Sequence, residues 1–132
     1  MALIEFHLDS RSGVPTYLQL VQQVRHAVQL GILTPGDQLP TVKEVVAGLA
    51  INPNTVLKAY GVLESEGIAE GRRGQGTFVK SSAPAPLGDD LGRLRRSLRD
   101  WFGRARAAGL DEQAIEALLS EQRASGSARR VA

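Results

Sequence analysis

The chain contains no cysteine, which excludes disulfides, thiolate metal sites and cysteine nucleophiles and fits a reducing compartment. Its two histidines, His7 and His26, lie far apart in sequence, and His26 falls off the apolar stripe of its predicted helix. No Ser, His and Asp set shows nucleophile spacing either, so no metal site, cofactor or enzyme activity is expected. No apolar run approaches the roughly 18 residues of a membrane span. Glu5 interrupts a start that lacks basic residues, so no signal peptide is expected and the protein should be soluble and cytoplasmic. Neither sign of charge dominates: the net charge is +2, with 7 basic against 7 acidic residues in positions 1–80 and 9 against 7 beyond. Affinity for a polyanion must therefore come from where individual basic residues sit. What the chain does have is 42% apolar and 23% charged residues over 132 positions, enough for one domain, or a small domain with an appendage.

Residues 3–9, Leu-Ile-Glu-Phe-His-Leu-Asp, partly alternate and predict a short strand. Pro15 then opens an amphipathic helix over about 15–30, with Tyr17, Leu20, Val21, Val24, Ala27 and Val28 on one face and Gly31 as its stop. Thr34-Pro35-Gly36-Asp37 is turn chemistry. Thr41 and Glu44 form a capping box for a second, short helix whose stripe is Val42, Val45, Val46 and Leu49. Asn52 as N-cap and Pro53 as first residue start a third helix at once, about 53–66, with Val56, Ala59, Tyr60 and Leu63 facing inward and Gly67 ending it. Strands at 68–70 and 77–79, joined across Gly71-Arg72-Arg73-Gly74-Gln75-Gly76, predict a hairpin wing. That glycine pattern leads into a strand, so it matches neither a dinucleotide fingerprint nor a phosphate loop.

Residues 81–86, Ser-Ser-Ala-Pro-Ala-Pro, read as a linker. Beyond it Leu87, Leu91, Leu94, Leu98, Trp101, Ala105 and Ala108 recur at four- and three-residue steps, one seam of a helix ending at Gly109. Asp111 caps a last helix bearing Ile115, Leu118 and Leu119, and residues 123–132 are expected to be disordered. The arginines opposite the seam invite a membrane-surface reading, but Asp89 with Arg93 and Asp100 with Arg104 are pairs expected of a water-facing surface. The seam, with Phe102, therefore predicts dimerisation over 87–122.

Two helices separated by Leu49-Ala50-Ile51-Asn52 and closed by a hairpin describe a winged helix-turn-helix over residues 1–80. The amino-terminal end of the third helix is suited to a DNA phosphate, and Asn54, Thr55 and Lys58 on its first turns are placed for base edges or phosphates in the major groove. Asn52 is read first as a cap, and Thr41 also has capping as a sufficient explanation. Arg72 and Arg73 at the wing tip suit a narrow minor groove, with Gly74, Gln75 and Gly76 allowing close approach.

From Pro15 to Val79 the sequence resembles the GntR family of bacterial transcription regulators, through Gly31-Ile32-Leu33-Thr34-Pro35-Gly36-Asp37-Gln38-Leu39-Pro40-Thr41, Asn52-Pro53-Asn54-Thr55-Val56, Leu63-Glu64-Ser65-Glu66-Gly67-Ile68 and the hairpin. With only about 45 residues after the linker it is most similar to the YtrA-type branch, in which two helices dimerise the protein. The family usually has arginine where Lys43 stands here; lysine keeps the charge without the bidentate fork, which favours a phosphate contact. The resemblance implies a mainly α protein with a small β-wing. Its expected function is that of a repressor, a homodimer binding an inverted-repeat operator, often in its own transporter operon. A small-molecule effector is expected only at a dimer interface or between the two parts, because two helices alone cannot enclose a cavity of roughly 300 Å³. The competing expectation is a protein-interaction adaptor working through the C-terminal helices, with the winged part as packing.

Overall fold

A computed structural model describes residues 4–81, 83 and 88–131, the last five by backbone alone. The chain divides into two compact units that meet at residues 87 and 88. The first contains helices α1 (Thr16–Gln29), α2 (Val42–Leu49) and α3 (Pro53–Ser65), followed by strands β1 (Ala69–Arg72) and β2 (Gly76–Val79). The second contains α4 (Asp89–Ala107) and α5 (Glu112–Val131).

The apolar spacing of α1 puts Leu20, Val21, Val24, Ala27 and Val28 on one buried face, packed on α3 through Val56, Ala59, Tyr60 and Leu63. Leu33, Leu39, Val45, Ile68, Ala69 and Val79 close the core from the loops, α2 and the hairpin. Tyr60 brings a hydroxyl into this core, and it donates to the Pro40 carbonyl at 2.5 Å. That bond ties α3 to the residue before the α2 cap. Burial, helped by the nearby Glu44 carboxylate, keeps this hydroxyl protonated well above the ordinary phenol range. Across the surface Arg25 of α1 pairs with Glu66 at the end of α3.

The sequence reading needs correction at the amino terminus. Residues 4–9 form no strand, because their backbone groups are met by helix side chains. Gln23 accepts from the His7 amide at 2.9 Å and donates back to its carbonyl at 2.6 Å. Gln19 does the same for Asp9, at 2.8 and 3.0 Å. Two primary amides thus stand in for a neighbouring strand, and only Phe6 of the segment is fully buried.

The hairpin is longer at its tip than expected: Ala69 pairs with Val79, Glu70 with Phe78, Gly71 with Thr77 and Arg72 with Gly76, leaving a three-residue loop. A further backbone ladder comes from the turn before α2. Leu39 donates to Thr77 at 2.8 Å, Val79 to Asp37 at 2.8 Å and Gly36 to Val79 at 2.9 Å. The turn itself is closed by the Asp37 carboxylate, which accepts from the amide and hydroxyl of Thr34.

Among the described residues of the second unit, Ala105 of α4 and Ile115 of α5 are buried. The turn between the helices has Gly109 at φ +100° and the Asp111 side chain accepting from the Ala114 amide. Trp101 and Phe102 are half-buried and meet edge to face, with centroids 5.3 Å apart. Leu91, Leu118 and Leu119 are half-buried too. Leu94 and Leu98 are 67% and 51% exposed, so the amino-terminal half of the seam is open to water. Leu87, also assigned to the seam, lies outside the described residues.

Two further differences concern this unit. Arg93 pairs with Asp90, three residues back, in place of Asp89. The backbone over 123–131, where disorder was expected, continues α5 to Val131. Alanine and arginine, which make up five of these nine residues, are good helix formers, and the lone Gly126 costs only about 1 kcal/mol.

Candidate nucleic-acid interface

Each helix that meets this surface starts on a side-chain cap. Thr41 Oγ1 accepts the Glu44 amide at 3.1 Å, and Asn52 Oδ1 accepts the Asn54 amide at 2.8 Å. Only 50–52 separate α2 from α3, and the reversal is made by Ala50 in the left-handed region at φ 55°, ψ 45°. That conformation costs an alanine roughly 1–2 kcal/mol. It turns the chain so that Val45 and Val56 enter the core while the first turn of α3 faces out.

On that first turn Asn54 is exposed and Thr55 half-buried, its amide bonded to the Asn52 carbonyl at 3.0 Å. Lys58 is exposed, with its ammonium 4.0 Å from the centroid of the Tyr17 ring of α1. Lys43 stands exposed on the first turn of α2. Two apolar features share the outer face of α3: Leu57, 55% exposed, and Gly61, at which an added Cβ would touch nothing.

At the wing Arg72 is held along the strand. Its guanidinium reaches Glu70 Oε1 at 3.0 Å and stacks over Phe78 at 4.2 Å from the ring centroid. Arg73 at the tip is exposed, beside Gly74 and Gln75. Gln38 fixes the base of this loop by donating to the Gln75 carbonyl at 3.1 Å. A side chain at Gly76 is strained, since its φ is +125° and a Cβ would lie 2.6 Å from Gln38 Nε2, displacing that amide.

Thr41 and residues 71–77 line one shallow, open patch of surface, so the α2 cap and the wing tip stand side by side. Asn52, Asn54, Thr55 and Lys58 belong to the adjacent helix start. Tyr17, Gln38, Leu57, Glu70 and Phe78 also belong to this surface, and the sequence pattern does not mark them for it. Tyr17 reads as a core position, and the others make cross-element contacts or stand as a lone exposure that no local pattern signals. Among the described residues no group of His, Asp and Glu side chains could hold a metal ion, and no helix is long and apolar enough to cross a membrane.

Comparison with known proteins agrees with this architecture. The gntR family of bacterial regulatory proteins matches residues 16–79. The HTH-type transcriptional repressor YtrA of Bacillus subtilis is 36% identical over 115 residues, 86% of this chain and 88% of the relative. A solved YtrA from Sulfolobus acidocaldarius, described as a GntR-family transcription factor, superposes with a TM-score of 0.54 at 32% identity, covering 77% of this chain and 97% of that one. The DNA-binding domain of AraR, solved in complex with operator ORX1, superposes at a TM-score of 0.51 and 26% identity over 58% of this chain and 95% of that one. With a repressor this similar along nearly its whole length, and a winged helix-turn-helix where the family profile falls, the chain belongs to the gntR family of bacterial regulatory proteins.

Proposed function

We propose that this regulator binds an inverted-repeat DNA operator as a homodimer and represses transcription by occluding a promoter in the bacterial cytoplasm. One observation carries the reading: the first turn of α3 leaves Asn54 and Lys58 exposed, and the exposed wing tip shares an open surface with the α2 cap. An α-helix fits the major groove, and an arginine-tipped hairpin fits the minor groove next to it. Asn54, Thr55 and Lys58 read or position from α3; Thr41, Lys43 and Asn52 act on the backbone; Arg72 and Arg73 carry the wing into the minor groove, with Gly74, Gln75 and Gly76 allowing the approach.

The open leucines of α4 support the dimer. Leu94 and Leu98 leave apolar surface exposed on a helix with coiled-coil spacing, and a second copy of the same seam buries it. Leu91, Trp101, Phe102, Ala105, Ile115, Leu118 and Leu119 extend that apolar face within the unit. Two-fold symmetry then presents two recognition helices to one duplex.

The test is a triple variant, Lys58→Ala with Arg72→Ala and Arg73→Ala, titrated against operator DNA selected by the wild-type protein. Affinity should fall more than tenfold, and the slope of log K against log salt should shrink by about 0.9 for each phosphate that the variant no longer neutralises. An unchanged affinity and slope would reject DNA binding by this surface. Leu94→Asp with Leu98→Asp should yield a monomer in sedimentation; a dimer persisting at micromolar concentration would reject the seam.

A further inference from the structure

We propose that Leu57 is a specificity-determining residue that selects thymine at one position of each half-site. This rests on the reading of α3 as the helix that enters the major groove, and it extends that reading to the chemistry of the operator. Positions 54, 57, 58 and 61 form the outer face of α3, with helical spacing of three, four and seven from Asn54. Asn54 and Lys58 on this face are polar, and Gly61 presents no side chain at all, so a duplex can approach close to the helix surface one turn further on. Leu57 is the one large apolar side chain exposed on this helix, at 55%.

A leucine has neither donor nor acceptor. Laid against the edge of a guanine, adenine or cytosine it displaces water from polar atoms and returns nothing to them. The one apolar group that an unmodified base pair shows in the major groove is the C5 methyl of thymine. Packing on that methyl buries apolar surface on both sides. The neighbouring Asn54 and Lys58 carry the hydrogen-bonding part of the recognition, so Leu57 adds a preference they cannot supply.

The experiment exchanges single atoms on the DNA. In the operator selected from random fragments, each thymine is replaced in turn by uracil, which lacks only the methyl, and binding is followed by fluorescence anisotropy for the wild type and for Leu57→Ala. Loss of one buried methyl corresponds to about fourfold in affinity per half-site. The wild type should lose this factor at one symmetric pair of positions, and Leu57→Ala should lose nothing there. Cytosine at that position should bind weakly, and 5-methylcytosine should recover part of the difference in the wild type alone. The inference is overturned if uracil is tolerated at every position, or if the two proteins respond alike. Because Leu57 is exposed, the alanine variant should keep its fold, which circular dichroism checks. The two readings fail separately: loss of the uracil effect leaves the triple-variant test standing, whereas an unaffected triple variant removes the helix from the groove altogether.

Discussion

The hydroxyl of Tyr60 offers a perturbation whose size the structure defines. It lies in the core and donates at 2.5 Å to the carbonyl of Pro40, which is itself buried, so Tyr60→Phe strands an acceptor that water does not reach. Leaving one buried neutral group unsatisfied costs about 1–3 kcal/mol, and the phenylalanine ring fills the same space, so no cavity adds to it. For a unit of this size that corresponds to a fall in Tm of roughly 5–15 °C. Thermal unfolding followed by circular dichroism measures it directly. The pH dependence gives an independent sign. Burial, with the Glu44 carboxylate behind it, raises the pKa of this phenol in the folded protein above the ordinary value near 10, so the group favours the fold while the unfolded chain is also protonated. As pH rises past that ordinary value the unfolded chain ionises and the folded one does not. Wild-type stability should therefore fall above about pH 10, by about 1.4 kcal/mol for each further pH unit, and the gap to Tyr60→Phe should narrow. A variant within 0.5 kcal/mol of wild type at neutral pH, or a gap that does not change between pH 9 and 11, would refute the reasoning.

Other substitutions probe the elements that shape the surface. Gly76→Ala places a methyl group 2.6 Å from Gln38 Nε2 at a φ of +125°; it should destabilise by about 1–3 kcal/mol and weaken DNA binding, and adding Gln38→Ala should recover only part of this in a melting experiment. Ala50→Gly relieves the left-handed strain between α2 and α3 and, after glycine's entropy is set against it, should stabilise by about 0.5 kcal/mol; a lower denaturation midpoint would mean the turn is not strained. Tyr17→Leu removes the ring beneath the Lys58 ammonium, and DNA affinity should drop by about two- to fivefold. Tyr17→Phe should bind as wild type, and in a Lys58→Ala background the leucine variant should have no effect.

The helices are legible in the sequence because their signals are local. Thr41 and Asn52 cap where their side chains dictate, Gly31 and Gly109 stop α1 and α4, and the apolar steps of α1 and α3 coincide with the buried faces. The amino-terminal segment reads wrongly as a strand because alternation shows which side chains can be buried but not what satisfies the backbone, and here Gln19 and Gln23 do so from another element. The wing divides in the same way. Its hairpin is visible in the glycines, whereas Arg72 bound to Glu70 and Phe78, and Gln38 bracing the tip, are contacts across strands or between distant segments. The left-handed Ala50 carries no sequence mark, since glycine or asparagine is the residue that announces such a turn.

The absence of native cysteine makes the decisive measurement simple, because one introduced thiol carries a unique label. An iron chelate attached through Asn54→Cys, at the exposed start of α3, cleaves whatever DNA lies beside it, and the cysteine-free wild type treated with the same reagent serves as the control. The account predicts two cleavage clusters placed symmetrically about the centre of the operator, from the Asn54 label and not from the treated wild type. Uniform cleavage, or no cleavage from the Asn54 label on operator that the labelled protein still binds, would contradict it.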